Sequence, residues 1–367
     1  MTDENSNKKL GTTRRGLLQQ SARSAAMLAG GAAMLAQLAD AQPPAAAAGR
    51  GGGRGGGRGG AAAAPPVFDP KTLPGVAQEP SWPKLFPAGF KNELVKTAGA
   101  EINVVTGGSG PPMLMMHGAP QSLCTWHLVA EELSKSYTLV MMDHRGYGDS
   151  SKPADQPDHS SQSKRPMAQD GVDVMTHFGF NQFRVVGHDR GGRVGRRMAI
   201  DHPEKVQKLL TIDIVPAHYL YSHVMIEFVQ AYPHWFTYLM RSPGPENDLI
   251  TQRVAGAQRA GGSALNMEYN RVMLLPGSTH AMCEDYRASA SCDLKIDAAD
   301  IKAGKKITCP LHVLWASDGA MGPLYDVLAI WKEEGTKVTG KGLTGGHSLQ
   351  EGNPMGTLAE IQAFMKG

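Results

Sequence analysis

The segment richest in chemical content is QFRVVGHDRGGRVGRRMAIDHP, residues 182–203. An apolar run enters Gly187-His188-Asp189-Arg190-Gly191-Gly192 and a helical pattern follows, which reads as a strand turning sharply into a helix. In the G-x-Ser-x-G form of this turn, small residues flank the central one because so tight a bend leaves no room for larger side chains. The central side chain is then exposed in front of a helix N-terminus. Here Asp189 takes the central position, and G-x-S-x-G occurs nowhere in the chain, so serine chemistry is not expected. A carboxylate presented in this way can displace a leaving group from an sp3 carbon and become an alkyl ester. A histidine then activates water against the ester carbonyl, while backbone N–H groups hold the oxyanion. The competing role for Asp189 is a helix N-cap.

The remaining parts of such a centre have candidates elsewhere. One oxyanion donor is expected from the loop His117-Gly118-Ala119-Pro120. The water-activating histidine should follow the last strand, where Gly345-Gly346-His347 stands. His117, His144 and His188 sit beside strand ends and are expected as supporting hydrogen-bond partners. Two acids could orient His347: Asp213, ending TIDIVP, and Asp318, in WASDGAM.

These residues need a scaffold that brings distant loops together. Short buried runs at 102–105, 113–116, 138–142, 183–186, 209–214 and 311–315 read as strands, separated by segments long enough for helices. That rhythm indicates βαβ units and a mostly parallel sheet flanked by helices, an α/β fold. It breaks between about Pro216 and Asp293, in an aromatic-rich stretch that includes YSHVMIEFVQAYPHWFTYLM, DLITQRVAGAQRA and EYNRVMLL. The expected organisation is a first core part at 67–215, a helical cap at 216–293 inserted after the sixth strand, and a second core part at 294–367. The cap would cover the C-terminal edge of the sheet, where open α/β sheets bind ligands.

Composition separates this body from what precedes it. The chain has 367 residues and a formal net charge of +3, but residues 1–66 hold eight Lys/Arg against three Asp/Glu. The remaining residues hold 29 Lys/Arg and 31 Asp/Glu, so the body offers no electrostatic case for nucleic acid. Residues 12–18, TTRRGLL, an uncharged stretch from Ala25 to Leu38 and Ala39-Asp40-Ala41 form the layout of a twin-arginine signal peptide over 1–41. Its apolar stretch is too short for a stable membrane span, and export to the periplasm or beyond is expected. From Pro43 to Pro66 every residue is Ala, Gly, Pro or Arg, so 42–66 is expected to be a disordered linker. Four scattered cysteines without a CxxC pair suggest neither a disulfide framework nor a zinc site.

From about Phe90 onward the chain resembles the haloacetate (fluoroacetate) dehalogenase family of α/β-hydrolases. The resemblance rests on HGAPQSLCTWH (117–127), DHRGYGDSSKP (143–153), GHDRGGRVGRRMAIDHPE (187–204), DIVP (213–216), His234-Trp235, CEDYRA (283–288) and Gly345-Gly346-His347. The first two blocks are shared with epoxide hydrolases. The resemblance implies that Asp189 is the nucleophile, His347 the base and Asp213 its orienting acid. It also implies that Arg190 and Arg193 grip a substrate carboxylate, and that His234, Trp235 and Tyr286 cradle a departing halide. A solvated basic helix face and simple core packing are the plainer roles for these two groups.

Several positions depart from the family pattern. Ala119 and Ser348 stand where aromatic residues are usual, the cap looks shorter, and VAGAQRAGG lacks a tryptophan often found there, which together suggest a roomier pocket. Asp318 is an unusual extra acid, and an export signal is unusual too. The resulting expectation is a hydrolytic dehalogenase of 2-haloacids that needs no metal or organic cofactor. Its partners would be an anionic halogenated small molecule and water, and a homodimer is the assembly considered. The rivals are an epoxide hydrolase, for which Tyr219, Tyr221, Tyr232, Tyr238 and Tyr286 could serve as oxygen donors, and an exported binding protein without turnover.

Overall fold

The computed structural model describes residues 68–259 and 262–366; the expected signal segment and linker lie outside the described residues. Eight strands pair into one sheet: β1 (Lys91–Lys96), β2 (Glu101–Gly108), β3 (Pro112–Met116), β4 (Thr138–Met142), β5 (Phe183–His188), β6 (Val206–Ile212), β7 (Leu311–Ala316) and β8 (Val338–Leu343). Their order is β1-β2-β4-β3-β5-β6-β7-β8, antiparallel at β1-β2 and β2-β4 and parallel from β4 to β8. This is the α/β-hydrolase architecture that the motifs imply.

The central strands are apolar on both sides because both faces of the sheet are covered. Alternate residues go to opposite cores. Leu114, Met116, Val185 and Leu209 pack into one, while Met113, Met115, Val186 and Leu210 pack into the other. Helices α1 (His127–Ser134), α2 (Lys164–His177) and α3 (Arg190–Asp201) follow β3, β4 and β5. β1 and β8 escape the apolar-run criterion because one side of each faces solvent and both are polar.

Between β6 and β7 the chain forms α4 (Ala217–Ser222), α5 (Ile226–Ala231), α6 (His234–Thr237), α7 (Gly244–Ala257), α8 (Ala264–Met273), α9 (Ser278–Ser289) and α10 (Cys292–Lys302). The insertion is helical as expected; its aromatic stretch divides into the short helices α4, α5 and α6, and Pro233, which lacks an N–H, separates α5 from α6. The helical insertion also runs past Asp293, since α10 extends to Lys302. Beyond β7, α11 (Val327–Glu334) and α12 (Pro354–Met365) complete the layers, with α12 packing beside α1 in the second core.

The first described residues join the cap rather than the sheet. Leu73 and Val76 pack with Val254, Ala257 and Leu274, and Gly75 donates its N–H to Ala257 O at 2.8 Å. Among the described residues no helix is long and apolar enough to cross a membrane.

Helix α3 is buried along almost its whole length although it carries four arginines. Arg196 and Arg197 do not form the solvated basic face considered above. Arg196 pairs with Asp297 and Glu334, and Arg197 with Asp201, Asp297 and Asp300. Asp285 of α9 ties α3 to the cap. It is fully buried and accepts from Arg190, Lys164 and the Tyr147 hydroxyl. Removing one partner of such a cluster leaves buried charge uncompensated. Asp285→Ala is therefore expected to lower the unfolding free energy by about 3–5 kcal/mol, read as a shift in the urea midpoint against the wild-type chain.

Candidate active site

Asp189, Asp213, His347 and the His117–Pro120 loop all follow strands at the C-terminal edge of the sheet. At the end of β5 the backbone reverses through Asp189 at φ 47° and ψ −116°, outside the regions that most side chains tolerate. The turn closes only because its flanks are bare. A Cβ on Gly187 would lie 2.4 Å from Gly191 O, and one on Gly191 would lie 2.4 Å from Met116 O. Asp189 donates its N–H to Ile212 O at 2.9 Å, and its side chain makes no capping bond to α3. Instead Oδ1 accepts from Ala119 N–H at 3.1 Å, in the expected His117–Pro120 loop. Gly118 permits this approach, since a Cβ there would stand 2.6 Å from the Asp189 Cβ.

Neutral histidines brace that loop. His117 Nε2 accepts from His144 N–H at 3.2 Å, and its Nδ1–H donates to Gly118 O at 2.7 Å. His144 in turn donates Nε2–H to His117 O at 3.0 Å. Burial holds the pKa of both below the ordinary value, which preserves one donor and one acceptor per ring. His188 lies under His347, within 3.0 Å of its carbonyl oxygen, and burial lowers its pKa to about 3.

His347 Nδ1 stands 2.6 Å from Asp213 Oδ2, while its Nε2 faces Asp189 Oδ2 at 3.8 Å. Asp213 is itself fixed, at φ 49°, and its Oδ1 accepts from Ala316 N–H at 2.8 Å. Asp318 has a different task. Its carboxylate accepts from Gly345 and Gly346 N–H at 3.0 Å and shapes the loop that carries His347. Burial opposes charging of His347, but the Asp213 hydrogen bond and the charge of Asp189 prevail and raise its pKa above the ordinary value. Burial likewise opposes ionisation of Asp189; His347, His188, Arg190 and Arg193 outweigh it and lower the carboxyl pKa.

Arg190 and Arg193 lie close to Asp189 but outside the lining of the cavity above it. The Arg190 guanidinium is bound to Asp285 and donates to Ser289 Oγ at 2.6 Å. Arg193 donates from Nε and Nη2 to Val215 O at 3.1 and 2.9 Å. Arg190 sits 3.8 Å from the centre of the Tyr286 ring, and Arg193 4.2 Å from that of Trp235. Each retains a buried Nη1 without a hydrogen-bond partner among the described residues. Burial and the Arg190 charge lower the Arg193 pKa to about 10, which leaves it cationic near neutrality.

His234, Trp235 and Tyr286 meet on the cap side, with ring centres 5.6 Å apart for Trp235–Tyr286 and 5.9 Å for His234–Tyr286. Burial lowers the His234 pKa to about 4, so its ring is a neutral donor at physiological pH. These three line a cavity of about 270 Å³ together with Asp189, His347, Ala119 and Tyr232. Tyr238, Leu249, Arg253, Met282 and Met321 complete much of the wall. Arg253 and Asp285 were not anticipated. Arg253 has a sequence signal after all: Leu249, Ile250, Gly256 and Ala257 occupy its helical neighbour positions, so no acid lies within one turn. Asp285 pairs with Arg190 across 95 residues, a separation that local pattern does not reveal. Asp155, His280 and Glu284 are near enough to share a metal ion, but none of them lines the cavity and Glu284 already binds Arg287 at 2.8 Å.

Comparison with known proteins agrees with this architecture. A family model for the alpha/beta hydrolase fold matches residues 111–253. The chain is 37% identical to fluoroacetate dehalogenase from Burkholderia sp. over 291 residues, covering 76% of this chain and 94% of that protein. It is 30% identical to soluble epoxide hydrolase from Corynebacterium sp. (strain C12), covering 70% of this chain and 90% of the other. A solved structure from Nostoc sp PCC 7120, assigned to the α/β hydrolases, has 42% identity and a TM-score of 0.72, covering 76% of this chain and 98% of that one. With an eight-stranded sheet of this order and relatives matched over nearly their whole length, the chain belongs to the haloacetate dehalogenase family of α/β-hydrolases.

Proposed function

We propose that this chain is a hydrolytic dehalogenase of 2-haloacids of haloacetate type, exported by its twin-arginine segment. The observation that carries the reading is the two-sided hold on Asp189, with Oδ1 on Ala119 N–H and Oδ2 facing His347 Nε2 at 3.8 Å. Asp189 Oδ2 attacks the halogen-bearing carbon, the C–O bond forms, and halide departs with the bonding pair. Neutral donors at His234, Trp235 and Tyr286 receive it. His347 then takes a proton from water, and hydroxide adds to the Asp189 carbonyl carbon. Ala119 N–H stabilises the oxyanion, and collapse expels the hydroxy acid's alkoxide, which regains the proton from His347. The net change is replacement of halide by hydroxyl, with release of a proton.

The unpartnered Nη1 groups of Arg190 and Arg193 support an anionic substrate. Because the rings of Tyr286 and Trp235 cover these groups, carboxylate binding requires those rings to shift. A second reading, epoxide hydrolysis, is favoured by Tyr232 and Tyr238 on the cavity wall. Burial raises both phenol pKa values, that of Tyr238 to about 12, so both remain proton donors.

Single turnover with excess enzyme in 18O water separates the two. Chloroacetate or fluoroacetate should release halide and leave label in the peptide containing Asp189. Label entry only with a small epoxide would establish the second reading, and no label with any of them would overturn both. Asp189→Asn should abolish ester formation. His347→Asn should slow turnover by about 10²–10⁴-fold and accumulate the ester, detectable as a mass increase on the intact chain; failure to accumulate it would remove His347 as the base.

The pH dependence follows from the state that His347 needs. Only the neutral ring accepts a proton from water, so ester hydrolysis should increase with pH through the His347 pKa, which the Asp213 hydrogen bond and charge hold up against burial once Asp189 is esterified. Asp213→Asn removes the hydrogen bond and charge that raise it, and should move this acid limb to lower pH while reducing the plateau. A pH profile of the hydrolytic step that is unmoved by the substitution would contradict the role of Asp213.

A further inference from the structure

Arg253 differs from most of the other buried or half-buried arginines of the body. Arg145, Arg190, Arg196, Arg197, Arg271 and Arg287 each have a carboxylate within ion-pair distance. Arg253 has none within 4.0 Å among the described residues; its hydrogen-bond partner is a neutral amide oxygen, Asn270 Oδ1, at 3.3 Å. Asn270 is itself oriented, because its Nδ2 donates to Gly75 O at 2.8 Å and thereby turns Oδ1 toward the arginine. Helix α7 is anchored just after Arg253, where Val254 and Ala257 are buried against Leu73 and Val76. The guanidinium is thus a positioned, partly desolvated cation with no anion assigned to it.

Its location gives that charge a use. Arg253 lines the same cavity as Asp189 and His347. Apart from those three, the wall is made of aromatic, aliphatic, thioether and neutral imidazole groups, with Leu249 beside it and Met282 and Met321 also on the wall. Asp189 has counter-charges in His347, Arg190 and Arg193, so Arg253 is not required to balance it. The cavity of about 270 Å³ leaves room beyond the five non-hydrogen atoms of chloroacetate. Both the charge and the space exceed what a two-carbon acid uses.

We propose that Arg253 binds a second anionic group of the substrate, remote from the reacting carbon, and that the preferred substrates are 2-halo dicarboxylic acids. The inference rests on the dehalogenase reading above. One carboxylate meets the Arg190–Arg193 pair beside Asp189, the apolar wall accommodates the spacer, and the distal carboxylate takes a charge-assisted hydrogen bond from Arg253.

The test compares 2-chlorosuccinate with chloroacetate on the full chain. In the wild type, kcat/KM for halide release should favour chlorosuccinate. In Arg253→Met, the ratio of the two kcat/KM values should fall by about 10- to 100-fold, the scale of one lost charge-assisted bond, and mainly through the KM for chlorosuccinate. Arg253→Lys should recover part of the ratio. Calorimetry on Asp189→Asn, which holds substrate without reaction, supplies an independent reading: chlorosuccinate should bind more tightly than chloroacetate, and adding Arg253→Met should erase the difference. If halide is released but neither ratio responds to Arg253→Met in a chain that unfolds at the wild-type temperature, the anion site is overturned and the dehalogenase reading stands. If neither compound releases halide yet binding depends on Arg253, the anion site stands and the dehalogenase reading falls.

Discussion

The arrangement depends on one buried carboxylate. Asp285, itself fully buried, gathers Arg190 from α3, Lys164 from α2 and the Tyr147 hydroxyl into a single buried cluster. Burial alone would raise its pKa, but the two cations reverse this and hold the carboxyl well below the usual range. Without that anion, Arg190 and Lys164 would repel each other in a desolvated space, as each is penalised by burial. The next residue along α9 is Tyr286, so locking Asp285 also sets the aromatic ring that roofs Arg190 and lines the cavity. Core and cap are therefore joined by ionic contact at the point where the chemistry needs them in register.

The second constraint is backbone strain at the sheet edge. Asp189 and Asp213 both adopt positive φ, at 47° and 49°, immediately after the adjacent parallel strands β5 and β6. Such conformations persist only where the surroundings over-determine them. Here the surroundings are the glycine contacts around Asp189 and the hydrogen bonds from Asp189 N–H to Ile212 O and from Ala316 N–H to Asp213 Oδ1. The result is two carboxylates on either side of one imidazole, with different work. One is hydrogen-bonded to the ring and raises its basicity; the other stays ionised across a 3.8 Å gap.

How much of this could be read in advance varied with the kind of constraint. The central strands were plain because burial on both faces makes them continuously apolar, whereas β1 and β8 are edge strands with ordinary polar residues. The turn at Asp189 was plain because glycine spacing is a local requirement. The choice between Asp213 and Asp318 was not, since both follow strands that end at the same edge, and only the loop geometry separates a carboxylate on the ring from one on the backbone N–H groups. The roles of Arg196, Arg197 and Asp285 were hidden for a further reason. A buried charge and a solvated one look alike in sequence, and apart from Asp201 beside Arg197 their partners lie about a hundred residues away or more.

The strand of chain at Leu73–Ala77 has a consequence for movement of the cap. A cap inserted between β6 and β7 would ordinarily swing on its two connections. Here the chain also enters across the cap, bonded to Ala257 O through Gly75 N–H and to Met267 O through Ala77 N–H before it reaches β1. That third attachment turns a hinge into a tripod. Wide opening of the cap would have to strip this strap from α7 and α8.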